Sequence, residues 1–130
     1  MKAIKLLFFL TLLAFAFSCK KKDAEPDLYA FLEGKWKYSN GAECEFKASS
    51  KTAVGTKIPN TIDYGFVIGE DYWRNVLSTG ADQWEFEQIV RYSDKVKVEY
   101  RKSTMTKKDE NTLSIKVPGL TDTELKRVDP

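Results

Sequence analysis

The side chains best suited to chemistry are two cysteines, Cys19 and Cys44, and three close carboxylate pairs: Glu43 with Glu45, Glu70 with Asp71, and Glu85 with Glu87. Histidine is absent, which removes the commonest general base, the usual zinc ligand and any Ser-His or Cys-His dyad. A cysteine nucleophile needs a nearby cation to lower its pKa. The nearest bases to Cys44 are Lys37 and Lys47, at odd spacings that place them on the opposite face of a strand. The first and third carboxylate pairs are two residues apart, the spacing of a solvated strand face. Glu70-Asp71 supplies far fewer than the roughly six to eight oxygens that calcium takes. No phosphate loop, dinucleotide fingerprint or nucleophile elbow occurs. These residues imply a protein without catalysis, cofactor or metal, and a Cys44 that points inward as a small hydrophobe.

Cys19 has a different context. Lys2 and Lys5 precede an apolar run from Leu6 to Phe17, followed by Ser18 and Cys19. The run is shorter than the roughly 20 residues that a spanning helix needs, so residues 1–18 read as a cleaved signal peptide. A small residue directly before a cysteine resembles the lipobox of bacterial lipoproteins, although Ala16 and Phe17 depart from its usual residues. That resemblance implies acylation of Cys19 and anchorage to the membrane of a bacterial cell envelope, expected to be the outer membrane. Two or more acyl chains would make such attachment durable. Loss of Lys2 and Lys5 turns 21 basic and 19 acidic residues into an even balance, so no basic patch argues for nucleic acid. Residues 19–27, with Lys20-Lys21-Lys22 answered by Asp23, Glu25 and Asp27, have the composition of a disordered tether.

Residues 28–130 are enough for one domain with one core. The segment Asp27 to Gly34 reads as a short helical turn capped by Asp27 and stopped by Gly34. Beyond it the pattern alternates with period two: Trp36 and Tyr38; Cys44 and Phe46; Trp84, Phe86, Gln88, Val90 and Tyr92; Val96, Val98 and Tyr100; Leu113, Ile115 and Val117. Turn signals at Asn40-Gly41, Val67 to Glu70, Thr79-Gly80, Ser93-Asp94, Lys108 to Asn111 and Pro118-Gly119 divide these runs, and short strands at this spacing argue for an all-β fold. A loop at Asn40-Gly41-Ala42 that pairs Tyr38 with Cys44 and Trp36 with Phe46 keeps Glu43 and Glu45 outside. At Ser93-Asp94-Lys95 the same logic pairs Tyr92 with Val96, Val90 with Val98 and Gln88 with Tyr100. It sets Glu87 against Arg101 on the outer face, and Arg91 against Lys97.

Gly34-Lys35-Trp36, between a helical turn and a hairpin, is similar to the G-x-W opening of the calycin superfamily, which comprises lipocalins, their short bacterial lipocalin-like relatives, and avidins. The resemblance implies a small antiparallel calycin-like β-barrel of about eight short strands. It also implies that Trp36 packs across the closed end with Arg127, from the last strand, over its ring. A small lipocalin-like lipoprotein domain implies in turn a binding module, holding a small hydrophobic molecule among Tyr38, Phe46, Phe66, Trp73, Trp84, Phe86, Tyr92 and Tyr100. The alternative is a non-catalytic interaction or structural lipoprotein with a filled barrel that docks another envelope protein. A monomer is expected in either case. Replacing Cys19 with serine should leave the domain folded and move the protein from the membrane to the soluble fraction; persistence in the membrane pellet would exclude lipid anchorage through Cys19.

Overall fold

The computed structural model describes residues 27–59, 67–92 and 97–129. Cys19, Phe66, the signal peptide, most of the tether and the Ser93-Asp94-Lys95 turn lie outside the described residues. Among the described residues a single 3-10 turn, Ala30–Leu32, precedes eight strands. They are β1 (Gly34–Lys37), β2 (Glu43–Lys47), β3 (Thr52–Lys57), β4 (Asp71–Gly80), β5 (Gln83–Arg91), β6 (Val98–Asp109), β7 (Thr112–Lys116) and β8 (Thr123–Arg127). Each pairs antiparallel with its neighbours in sequence, and β8 returns to β1 to close the barrel. The expected all-β fold of about eight strands is the observed architecture.

Strand direction sorts the connections. Those leaving β1, β3, β5 and β7 gather at one end, the mouth; the 3-10 turn and the connections leaving β2, β4 and β6 gather at the other, the base. The alternating positions fill the interior with one apolar cluster that includes Trp36, Cys44, Phe46, Trp73, Phe86, Met105, Leu113, Ile115 and Leu125. On the outside, Lys35 faces Glu45 and Lys37 faces Glu43 across the β1–β2 ladder, pairings of opposite charge that suit a solvated surface.

The first hairpin keeps the expected faces and the expected three-residue loop length, but the loop falls one position earlier, which moves the pairing by two residues. Trp36 pairs with Cys44, and Gly34 with Phe46. Tyr38 donates its amide to Ala42, and Gly41 takes the left-handed conformation at φ 91°. The loop is thus Ser39-Asn40-Gly41, with Asn40 Oδ1 accepting the Ala42 amide at 3.0 Å. The β4–β5 turn also falls later than Thr79-Gly80: β4 runs through Gly80, and Asp82 supplies the left-handed residue.

The β5–β6 register differs by one residue from the expectation. Gln88 pairs with Arg101, Ile89 with Tyr100, and Glu87 with Lys102 instead of Arg101. A one-residue shift exchanges faces, so Ser103 and Met105 turn inward while Val98 and Tyr100 do not join the core. The inward positions of β6 carry polar Ser103 and thioether Met105 in a run of threonines and lysines, which offers no alternation from which to set a register. Ser103 is accommodated by donating its hydroxyl to the Arg101 carbonyl at 2.8 Å.

Two β-bulges in β4 aim its side chains. Ala53 pairs with Trp73 but Val54 with Asp71, leaving Tyr72 as the extra residue, so that both Tyr72 and Trp73 are buried. Further along, Arg74 pairs with Glu87 and Leu77 with Glu85. Asn75 there adopts φ 54°, and Val76 takes the inward position. Gly55 on β3 makes the first bulge feasible: a Cβ at this position would lie 2.5 Å from the Tyr72 ring. Gly55→Ala should therefore destabilise the barrel by about 1–3 kcal/mol through overpacking, read as a lower urea midpoint; an unchanged midpoint would show that the Tyr72 ring yields freely.

Candidate functional site

At the base, the 3-10 turn brings the chain across the barrel end and Gly34, at φ 114°, turns it into β1. Trp36 is fully buried, and its indole N–H donates to the Leu32 carbonyl at 2.8 Å. Register places Arg127 opposite Trp36 on the closing strand, with the guanidinium carbon 4.4 Å from the indole centroid. Its two terminal nitrogens donate to the Phe31 carbonyl at 2.7 Å and the Glu33 carbonyl at 3.1 Å. These carbonyls belong to the end of the 3-10 turn and the residue after it, where backbone acceptors lack helical partners. A guanidinium answers two of them and stacks on an aromatic face at once, which a lysine ammonium cannot do. Gly34 stands beside this fork, its missing Cβ 3.8 Å from an Arg127 nitrogen. Trp84 ties the same leading segment from another side by donating its indole N–H to the Leu28 carbonyl at 2.9 Å.

Higher in the barrel, a hydrogen-bonded chain crosses the interior. The Trp73 indole N–H donates to the Tyr38 hydroxyl at 2.7 Å, Tyr38 donates to Gln88 Oε1 at 3.0 Å, and Gln88 Nε2 donates to the Ile89 carbonyl at 3.1 Å. Phe46 and Phe86 pack their rings on Trp73, with centroids 6.3 and 5.6 Å away. Sequence alternation placed Tyr38, Phe46, Trp84 and Phe86 on inward faces, but gave no sign that Tyr38, Gln88 and Trp73 would satisfy one another.

The eight residues expected to line a ligand pocket divide. Tyr38, Phe46, Trp73, Trp84 and Phe86 share the interior and fill it against one another. Tyr100 is half-buried against the edge of the core, with the Arg74 guanidinium 3.5 Å from its ring centroid and its hydroxyl bonded to the Asp71 carbonyl. Tyr92 is at the rim, hydrogen-bonded to Glu99. Where Tyr38 does border open space, at the mouth, the recess amounts to about 90 Å³ and is shared with Asn40, Ala42, Tyr72, Gln88 and Ile89. A wider groove of about 610 Å³ lies at the β1–β8 seam, lined by Glu33, Lys35, Glu43, Glu45, Arg127 and Asp129; none of the seven expected residues that are described borders it.

Cys44 is fully buried. Burial, reinforced by the charge of Glu43, raises its thiol pKa far above the ordinary value, the reverse of nucleophile activation. No group of three or more cysteine, aspartate or glutamate residues suited to a metal ion occurs among the described residues, and no helix among them is long and apolar enough to cross a membrane. Glu70 is held by Arg91, one of whose terminal guanidinium nitrogens donates to both carboxylate oxygens at 2.5 and 2.7 Å. Comparison with protein-family models, curated proteins and solved structures finds no match to this chain.

Two predictions follow from the geometry of the base and interior. Trp36→Ala should destabilise by about 3–5 kcal/mol as a large core truncation, and Arg127→Ala by less, with Arg127→Lys recovering only part of that loss. An unshifted denaturant midpoint for Trp36→Ala would remove the indole from the interactions that hold the base. The second concerns alkaline pH. Burial, followed by Glu70, pushes the Tyr72 hydroxyl from 10.0 to about 12, and burial also raises Tyr38 and Cys44. Each folded-state pKa lies above its unfolded value, so the stabilisation is complete below about pH 9, near the unfolded thiol, and is lost as pH climbs to 12 and beyond. Urea midpoints should decline across that window, and Tyr72→Phe should flatten the decline; an identical slope in the variant would refute the assignment.

Proposed function

We propose that this chain is a lipid-anchored, non-catalytic protein of the bacterial cell envelope whose barrel is filled by its own side chains and which acts by docking another protein. The supporting observation is the occupancy of the interior. Phe46 packs tilted and Phe86 edge-on against Trp73 inside the barrel, and the Trp73–Tyr38–Gln88 chain crosses the interior beside them. An eight-stranded barrel is just wide enough either to be filled or to hold one small ligand. Pockets for such ligands run to about 300–1,000 Å³, against 90 Å³ at the mouth recess.

Membership among small bacterial lipocalin-like domains is part of the proposal. It is supported by the closed up-and-down barrel and by the stacking of Arg127 on Trp36 beside Gly34. The protein isolated gently from its own host should show, by native mass spectrometry, a mass free of any small molecule. Titration with a fluorescent fatty-acid analogue should leave tryptophan emission unchanged. A reproducible bound molecule, or saturable one-to-one binding of the probe, would overturn the filled-barrel proposal in favour of a ligand carrier.

A further inference from the structure

An asparagine followed by glycine is the step at which a peptide chain most readily attacks itself. The glycine amide nitrogen, once deprotonated, adds to the asparagine side-chain carbonyl carbon; ammonia leaves and a five-membered succinimide closes. Water then opens the ring at either carbonyl to give aspartate or isoaspartate. Net, one water is taken up and one ammonia released, with no oxidant or other co-reactant. The chain has four asparagines, and only Asn40 precedes a glycine; Asn60, Asn75 and Asn111 precede Thr61, Val76 and Thr112, whose branched side chains crowd and stiffen the neighbouring backbone.

The folded hairpin withholds both reacting groups. The Gly41 amide donates to the Tyr38 carbonyl at 3.0 Å, and Asn40 Oδ1 is held by the Ala42 amide at 3.0 Å. A third bond, from the Tyr38 amide to the Ala42 carbonyl at 2.8 Å, pins the two ends of the loop together. Gly41 is buried although Asn40 is exposed. Ionising the Gly41 nitrogen in place would give up its hydrogen bond and leave a charge out of water. Ring closure also needs rotation about the Asn40 Cα–C and Cα–Cβ bonds, which the bonds to Tyr38 and from Ala42 respectively restrain.

We propose that Asn40-Gly41 is a self-modification site, closed while the first hairpin is formed and open whenever β1 and β2 separate. The inference is independent of the docking role. Its consequence follows from the loop. Isoaspartate adds a methylene to the backbone, and loop length and turn type together set a hairpin's register. A lengthened loop no longer suits the pairing of Trp36 with Cys44 and Gly34 with Phe46. Because β1 also forms one side of the closing contact with β8, a converted chain closes its barrel less well. Unfolding that lasts long enough is thus made progressively irreversible by chemistry confined to the unfolded chain.

Full-length protein is incubated in mildly alkaline buffer with and without guanidinium chloride, and conversion is followed by mass spectrometry of the tryptic peptide running from Tyr38 to Lys47. Conversion at Asn40 should be at least tenfold slower without denaturant, and should rise along the unfolding transition, because a reaction of the open form follows the open population. Asn40→Gln, which would have to close a larger ring, should suppress it in denaturant, where folding is not at issue. After denaturant is removed, the isoaspartate form should unfold at a lower midpoint than the unconverted protein. Equal rates with and without denaturant, no conversion in denaturant, or conversion at Asn75 or Asn111 as fast as at Asn40 each overturn the site. An unchanged midpoint for the isoaspartate form overturns the effect on refolding.

Discussion

The barrel exists because one short seam holds. β1 and β8 meet through two registered pairs, Trp36 with Arg127 and Lys37 with Lys126, together with the Val128 amide on the Lys35 carbonyl. A sheet that fails to close leaves two open edges, so this contact decides whether the fold is a barrel or an aggregation-prone sheet. The seam is reinforced from outside the ladder. The Arg127 side chain leaves the last strand, covers the first strand's indole and binds the backbone that leads into it, joining the first and last strands through one residue.

Closure also explains the composition of the interior. The narrow lumen must accept three tryptophans and several other rings, and β3 makes room by contributing only Ala53 and Gly55 to the inside. Their small size lets β4 bulge and turn two consecutive aromatics inward. Every indole N–H finds an acceptor: Leu32, Tyr38 and Leu28 for Trp36, Trp73 and Trp84 respectively. Desolvation of these donors is thereby offset, and a crowded aromatic core carries no orphaned indole.

The parts legible in the sequence were those governed by local rules. Alternation in Trp36, Cys44, Phe46, Leu113 and Ile115 gave the inward faces, and Gly41 and Pro118-Gly119 marked turns that the structure contains. The β5–β6 register was not legible because Ser103 and Met105, the true inward residues, resemble their outward neighbours in polarity. The β4 bulges were not legible either: Tyr72-Trp73 breaks period two, and the compensating space is supplied by Gly55 on another strand. The base constellation could be anticipated only from the resemblance of Gly34-Lys35-Trp36 to a known opening, whereas the mouth recess, assembled from the β1–β2 turn and two strands, β4 and β5, has no contiguous signature. Cys19 and Phe66 lie outside the described residues, so the sequence alone speaks for them.

Both indoles at the base grip the same short stretch, Trp84 at Leu28 and Trp36 at Leu32. Tension applied through the N-terminal end of the chain would reach these two bonds one after the other before it reached any strand ladder. The stretch can peel residue by residue while the seam behind it stays intact, so the leading turn is a mechanical fuse between whatever restrains the chain's start and the barrel that follows.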